Sequence, residues 1–270
     1  MELSEKTRVL IEALPYIKKY QGKIVVIKFG GNAMDEIEHV IEDIVLLKSI
    51  GISPVVVHGG GPEVDIEMKK LGIAPKFVNG LRYTDAKTMK IAEKVFNKIN
   101  SSIVKSINMH YAKAINANGH IKARQKSKEM GLVGDITGIN AAKLRSLINS
   151  SFIPVISPLG KDGNGQMYNI NADTVASYVA VAVKAEKLTI LTNVGGVMLS
   201  NKIVTHLDFA TSKQAIKSGL ISKGMIPKVE ACIYAVKNKC PKAHLINGLT
   251  SHSLLLEIFT DEGVGTEIVP

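Results

Sequence analysis

Short β-branched runs alternate along this chain with stretches whose apolar residues recur at helical spacing. Ile24–Ile27 reads as a strand, residues 36–50 as a helix, Pro54–Val57 as a strand and residues 62–70 as a helix. In the first helix Ile37, Val40, Ile41, Ile44 and Leu47 fall on one stripe, and Gly51 stands where the helix should stop. A second alternating set has strand Ile153–Ile156, helix 173–184, strand Leu188–Leu191, helices 211–218 and 226–238, and strand Ala243–Ile246. The turn cluster from Gly160 to Gly165 lies between two strand-like runs and predicts a hairpin. This alternation predicts an α/β fold, a mainly parallel central sheet with helices on both faces.

Ahead of the first strand, Leu10, Leu14 and Ile17 recur at helical spacing, which predicts an amphipathic N-terminal helix over residues 1–22, bent at Pro15. The remainder divides near residue 185 into lobes 23–185 and 186–270 that share one continuous sheet. Low-complexity linkers and short internal repeats are absent from the sequence.

With 270 residues, 46% of them hydrophobic, 23 Gly and only 9 Pro, the chain is long enough for a large core. Its formal charge is +10, from 34 Lys and Arg against 24 acids. These charges are spread along helices with no basic run and few aromatics to stack bases, which argues against nucleic acid and fits an anionic small-molecule substrate. Cys232 and Cys240, with seven residues between them inside one helical pattern, form neither a CxxC motif nor a zinc set, and a reducing cytosol is the natural reading. The longest apolar stretch after the N-terminus, Val175–Val183, is too short to span a bilayer, and no targeting signal is visible. A soluble cytoplasmic protein is expected.

Three strands run directly into small-residue turns, ending at Lys28-Phe-Gly-Gly31, His58-Gly-Gly-Gly61 and Asn193-Val-Gly-Gly196. In open α/β sheets ligands collect beyond the carboxyl ends of strands, where glycine lets backbone N–H groups approach an anion. One such pair would be an ordinary turn; three at equivalent ends favour a phosphate site. A Walker loop (GxxxxGK[ST]) does not occur, nor does a GxGxxG fingerprint after a strand, so the two commonest nucleotide signatures are excluded.

The ordered segments VVIKFGGNAM, VVVHGGGPEVD, FVNGLRYTD, GLVGDITGIN, MYNINADTVA, ISKGMIPKVEAC and LLLEIFTDEGVGT cover essentially the whole chain. Together they resemble the amino-acid kinase family, and within it the acetylglutamate kinases. The resemblance implies an αβα sandwich with an acyl-substrate lobe followed by a nucleotide lobe. It further implies ATP and N-acetyl-L-glutamate as substrates, Mg2+ accompanying ATP, and a place in arginine biosynthesis.

By the same resemblance Lys28 and Lys228 contact the transferring phosphoryl group, with Asp173 between them as organiser. Phosphoryl transfer is catalysed mainly by positioning and charge neutralisation, which two ammonium groups provide, and Asp173 is expected to keep both lysines charged. A carboxylate acceptor is already ionised near neutrality and needs no general base. The plain alternatives are a solvated strand-end lysine for Lys28, a helix N-cap for Asp173 and a surface residue of a first helical turn for Lys228.

Gly30, Gly31 and Gly59 are similar to the glycines that face the phosphates, Gly60 and Gly61 to those near the acceptor. Arg82 resembles the clamp of the substrate α-carboxylate, and Asn169 the residue bonded to the acetylated amino acid. A surface arginine and a hairpin asparagine are the plain alternatives. Nucleotide contacts are expected from Thr192, Asn193, Gly195, Gly196, Lys223, Gly224 and Met225.

Two positions depart from the pattern. Asn193 stands where the family usually has Asp, removing a charge from the nucleotide loop. Tyr83 stands where acetylglutamate kinases generally have Val, and the RYTD run resembles carrier-linked aminoadipate kinases of lysine synthesis. That is the second substrate reading; a catalytically weak arginine-sensing protein is the third.

The ALPYI segment resembles arginine-inhibited members of the family, which assemble as hexamers built from three dimers. The resemblance implies L-arginine bound between the N-terminal helix and the C-terminal lobe, at Tyr16, His252, Glu262 and Gly265.

Overall fold

The computed structural model describes residues 3–31, 37–78, 80–199, 202–221, 224–260 and 263–270, without the side chains of residues 3–6, 9 and 10. The chain opens with helix α1 (Leu3–Tyr20), strand β1 (Ile24–Phe29), α2 (Ile37–Ser49), β2 (Ser53–His58) and α3 (Gly61–Lys70). A two-stranded hairpin, β3 (Phe77–Val78) and β4 (Leu81–Arg82), leads into the long α4 (Ala86–Met109). Strands β5 (Ala114–Asn116), β6 (Ile121–Gln125) and β7 (Gly134–Ile139), helix α5 (Ala141–Asn149) and β8 (Ile153–Ile156) follow. Then come β9 (Leu159–Lys161), β10 (Met167–Asn169), α6 (Ala172–Val183) and β11 (Lys187–Thr192). The last part holds β12 (Met198–Leu199), β13 (Lys202–Ile203), β14 (His206–Asp208), α7 (Phe209–Lys217), α8 (Ile226–Lys237), β15 (Lys242–Asn247), α9 (Ser253–Phe259) and β16 (Thr266–Val269).

Eight strands form one sheet in the order β14-β16-β15-β11-β1-β2-β8-β5. The six from β15 to β5 are parallel, while β16 pairs antiparallel with β15 and parallel with β14. A parallel strand covered on both faces must be apolar on both, which is why its sequence reads as a continuous β-branched run. In β1 the period of two sends Val26 to one core and Val25, Ile27 and Phe29 to the other.

The Val26 core is closed by α5, α6, α7 and α8, for example through Leu144, Val175, Ala215 and Val229. The opposite core is closed by α2, α3, α4 and α9 and by Tyr20 of α1. The αβα sandwich expected from the alternation is therefore present. Val40, Ile41, Ile44 and Leu47 are buried as their stripe predicts, and the hairpin expected around residues 160–165 is β9 with β10.

One expectation needs correction, and two features add to the expected pattern. Cys240 lies beyond the end of α8, so the two cysteines do not share a helix; both are buried and free. The expected N-terminal helix is present as α1, from Leu3 to Tyr20 with Pro15 inside it, and Ile11 and Leu14 are 64% and 46% exposed, so part of its apolar face has no cover among the described residues. The antiparallel edge, β14 and β16, is absent from the expected pattern; β16 reaches its place by pairing with β15, a contact set by tertiary packing.

Three strand ends meet at one edge of the sheet. In the register, Lys28 of β1 faces Val57 of β2 on one side and Ile190 of β11 on the other. The glycine turns after β1, β2 and β11 therefore open into one crevice. Strands β1 and β2 run outward to one side and β1 and β11 to the other, making this the switch point of the sheet where ligands bind. A second, four-stranded sheet in the order β10-β9-β6-β7 brings Val133 and Asn169 to the same crevice.

Candidate active site

A cavity of about 330 Å³ lies in this crevice, walled by the glycine turns and the β3–β4 hairpin, with Lys28, Asp173 and Lys228 at its base. Lys28, near the end of β1, is 6% exposed, and Asp173, in the first turn of α6, is 3% exposed. Lys28 Nζ lies 2.7 Å from Asp173 Oδ1, and Lys228 Nζ, from the first turn of α8, lies 2.9 Å from Asp173 Oδ2. One carboxylate thus holds two ammonium groups, one on each oxygen.

The local sequence accounts for these placements. Asn171 caps α6, its Oδ1 accepting from the backbone N–H groups of Asp173 and Thr174 at 2.8 and 3.1 Å. Asp173 is therefore not the cap that its position at the helix start implied; its side chain is released toward the cavity, and the positive end of the helix favours its charge. Burial alone would push the Asp173 carboxyl up, but Lys28 and Lys228 outweigh it and hold the group below the usual carboxylate range. Lys28 shifts the other way. Asp173 raises it, as expected of the carboxylate, but burial lowers it more, so the net shift of Lys28 is downward.

Glycine is required where the turns touch. A Cβ on Gly30 would sit 2.8 Å from the backbone of Gly59, and one on Gly60, with φ +152°, would sit 2.6 Å from Ile99 Cδ1. Behind this contact His58 is fully buried. Its Nδ1 is 2.7 Å from the Gly59 carbonyl oxygen and its Nε2 3.0 Å from Ser157 Oγ. A carbonyl oxygen only accepts, so Nδ1 carries the proton and Nε2 is the acceptor. Burial pushes the imidazole down to about 4, so it is neutral at physiological pH. Asn100 Nδ2 completes this buried set at 3.0 Å from the Val155 carbonyl.

On the opposite wall Arg82, from the end of β4, is ion-paired with Asp65 and donates to the Gly61 carbonyl at 3.0 Å and weakly to Met68 Sδ at 3.6 Å. Its guanidinium lies 4.9 Å over the Phe77 ring. Among the described residues these three acceptors engage three of the five N–H donors of the guanidinium. Asn169 donates from Nδ2 to Thr84 Oγ1 at 3.1 Å.

Of the residues singled out in the sequence, Lys28, Gly30, Gly31, Gly59, Gly60, Gly61, Arg82, Asn169, Asp173, Thr192, Asn193 and Lys228 line this one cavity. Gly195, Gly196, Gly224 and Met225 do not line it. Gly196 has a packing reason to be glycine: a Cβ there would meet Thr266 Oγ1 at 2.6 Å, the same oxygen that accepts from Val197 N. Met225 packs on the core that includes Val26. Lys223 and Glu262 lie outside the described residues.

His58, Asp65, Asn100 and Asn171 were not singled out as site residues. His58 directly precedes the glycine triplet and Asp65 follows it by one helical turn, the only local signals available for either.

A second cavity of about 130 Å³ lies between α1 and the C-terminal strands, where Tyr16 and Gly265 meet Lys187, His244, Glu257 and Glu267. His252 is not among its lining residues; it bonds instead to Asp43 of α2. Within this cavity Glu257 is 2.6 Å from Lys187 Nζ and 2.5 Å from His244 Nδ1. Burial alone would raise Glu257, but His244 and Lys187 hold it down to about 2. Glu267 is also held down to about 2, chiefly by its hydrogen bond with His244.

The amino acid kinase family model matches residues 23–247. The chain belongs to the amino acid kinase family. It is 47% identical to the curated acetylglutamate kinase of Carboxydothermus hydrogenoformans, with 98% of each chain covered, so it sits in the acetylglutamate kinase branch of that family of enzymes. Among solved structures it superposes with a TM-score of 0.90 and 24% identity on N-acetylglutamate synthase from Neisseria gonorrhoeae complexed with coenzyme A and N-acetyl-glutamate. That match covers 98% of this chain and 63% of the synthase chain. The same synthase complexed with coenzyme A and L-arginine gives a TM-score of 0.86 at 23% identity, covering 97% of this chain and 65% of that one. Identities this low carry the fold alone. Among the described residues no helix is long and apolar enough to cross a membrane.

Proposed function

We propose that this amino acid kinase transfers the γ-phosphoryl group of ATP to the side-chain carboxylate of N-acetyl-L-glutamate, a step of arginine biosynthesis carried out in the cytoplasm. The observation that carries the reading is the Lys28–Asp173–Lys228 bridge at the base of a glycine-walled cavity whose far wall is Arg82. The full-length likeness to curated acetylglutamate kinases names the acceptor.

In this reading the acyl acceptor occupies the 23–185 half, with its α-carboxylate on Arg82 and its amide near Asn169. The nucleotide occupies the 186–270 half, at Thr192, Asn193, Gly195, Gly196, Gly224 and Met225. An oxygen of the acceptor carboxylate forms a bond to the γ-phosphorus, and the bond from that phosphorus to the β–γ bridging oxygen breaks, releasing ADP. Lys28 and Lys228 neutralise charge on the equatorial oxygens, the backbone N–H groups of the glycine turns hold the phosphates, and Asp173 fixes both lysines. The acceptor arrives ionised, so no residue has to remove a proton.

Mg2+ is expected with ATP. Asp173 is the one carboxylate among the described residues lining the cavity and it is committed to two lysines, so the described residues offer no cage for the ion, which would enter on the nucleotide phosphates.

Two finer readings accompany this one. L-Arginine acts as a feedback inhibitor at the second cavity, with Tyr16 and Gly265 among its walls; the carboxylates there are Glu257 and Glu267, which suit a guanidinium fork. The exposed Ile11 and Leu14 of α1 support assembly through that helix into a hexamer of three dimers. Tyr83 keeps a carrier-linked aminoadipate as the competing acceptor.

With Mg-ATP and N-acetyl-L-glutamate the purified protein should form an acylphosphate that hydroxylamine traps as a hydroxamate. Robust turnover of a carrier-linked aminoadipate with none of acetylglutamate would overturn the assignment, and turnover of neither would favour the arginine-sensing alternative.

A further inference from the structure

On the α2–α9 side of the molecule, away from the cavity lining, two histidines and a glutamate converge. His39 and Glu42 stand three residues apart on α2, which places them on one face. His252, just ahead of α9, completes the group. The candidate ligand atoms of His39, Glu42 and His252 all lie within 4.8 Å of one another. Glu42 Oε2 is 3.6 Å from His39 Nδ1 and 3.9 Å from His252 Nε2. Donors around a tetrahedral zinc ion, bound at about 2.0 to 2.2 Å, stand about 3.4 Å apart, so small side-chain rotations bring this set onto one ion.

A second observation concerns how His252 is held. Its backbone is in the left-handed region, φ +55°, which is unusual for a residue with a side chain. Its Nδ1 lies 2.6 Å from Oδ1 of Asp43, a carboxylate that is 1% exposed and that also accepts from the backbone of Leu255. With the proton of Nδ1 donated to Asp43, the lone pair of Nε2 faces Glu42. A buried carboxylate that fixes the tautomer of an imidazole in this way is the arrangement that orients histidine ligands at metal centres.

We propose that His39, Glu42 and His252 form a binding site for a divalent transition-metal ion of the Zn2+ class, with Asp43 as the positioning residue. Two imidazoles and one carboxylate suit zinc, cobalt or nickel and not magnesium or calcium, which prefer all-oxygen sets. The three side chains are 40%, 50% and 44% exposed, so an ion can enter and leave, and a fourth coordination position remains for water. Once bound, the ion ties α2 to α9, two helices that pack on the same face of the sheet.

The test uses the full-length protein stripped with a chelator, Zn2+ followed by calorimetry, and Co2+ followed by its visible d–d absorption. One ion per chain is expected, with a rise in Tm. His39→Ala and Glu42→Gln should each weaken binding at least about tenfold, and Asp43→Asn about 10- to 100-fold, while His110→Ala leaves it unchanged. Glu42→Gln is a surface change and serves if a histidine variant fails to fold. Less than about 0.2 ion per chain, or unaltered affinity in both His39→Ala and Glu42→Gln, would overturn the site; the latter would point instead to the cluster of His206, His244 and Glu267.

Discussion

Lys28 and Asp173 meet at 2.7 Å across the crevice between the end of β1 and the first turn of α6, almost without solvent. Neither charge is tolerable there alone. Burial lowers the affinity of Lys28 for its proton, and the carboxylate opposes that change.

From this pairing follows the first expectation. Lys28→Ala and Lys228→Ala should lower kcat by about 10² to 10³ with little change in either KM, because the ammonium contacts strengthen as charge develops in transfer. Asp173→Asn should lower kcat similarly and should also destabilise the fold, by up to about 3 kcal/mol, since it leaves Lys28 buried without a counter-charge. Steady-state kinetics with urea denaturation would check both; near-wild-type kcat in all three variants would place phosphoryl transfer elsewhere.

Arg82 presents a planar fork already steadied by Asp65 and Gly61. Arg82→Lys keeps the charge but loses the fork, so it should raise KM for the acyl acceptor about tenfold or more while the nucleotide KM stays within about twofold. Asp65→Asn should do the same more weakly. Equal rises in both KM values would argue against a role confined to the acceptor.

The His58 imidazole is neutral in the folded state, pushed down to about 4 from the ordinary 6.5. Below pH 6.5 the unfolded chain therefore binds a proton that the folded chain does not, and stability falls with pH until about 4, where the folded state also takes it up. The full difference corresponds to about 3 kcal/mol. In His58→Gln this part of the decline should vanish. Denaturant titrations of both proteins at several pH values between 7 and 4 would show it, since contributions from Glu257 and Glu267 are common to the two and cancel; parallel curves would refute the buried neutral imidazole.

Removal of residues 1–22 tests the N-terminal helix. The truncated protein should be an active dimer that L-arginine does not inhibit, whereas in the full chain arginine should raise the apparent KM for acetylglutamate. Light scattering and kinetics decide the matter, and a truncated hexamer still inhibited by arginine would show that the helix has neither role.

Periodicity was enough to read the sandwich, because a strand buried on both faces and a helix with one buried stripe each leave a local signature: Val25–Phe29 and the stripe from Val40 to Leu47 are examples. The three glycine turns were equally legible, since each lies beside its own strand end, and with the family resemblance they brought Lys28, Asp173, Lys228, Arg82 and Asn169 to one site. Other features rest on contacts between segments far apart in the chain, which no local pattern records. Examples are the antiparallel edge made by β16 on β15, the neutral His58 held against Ser157, the pairing of Asp65 with Arg82, and the packing of Gly196 on Thr266. The same holds for His252, which the resemblance placed with Tyr16 and Gly265 and which tertiary packing placed against Asp43, 209 residues away. Local pattern sets which face of an element is apolar; which distant polar groups meet is decided when burial forces each to find a partner.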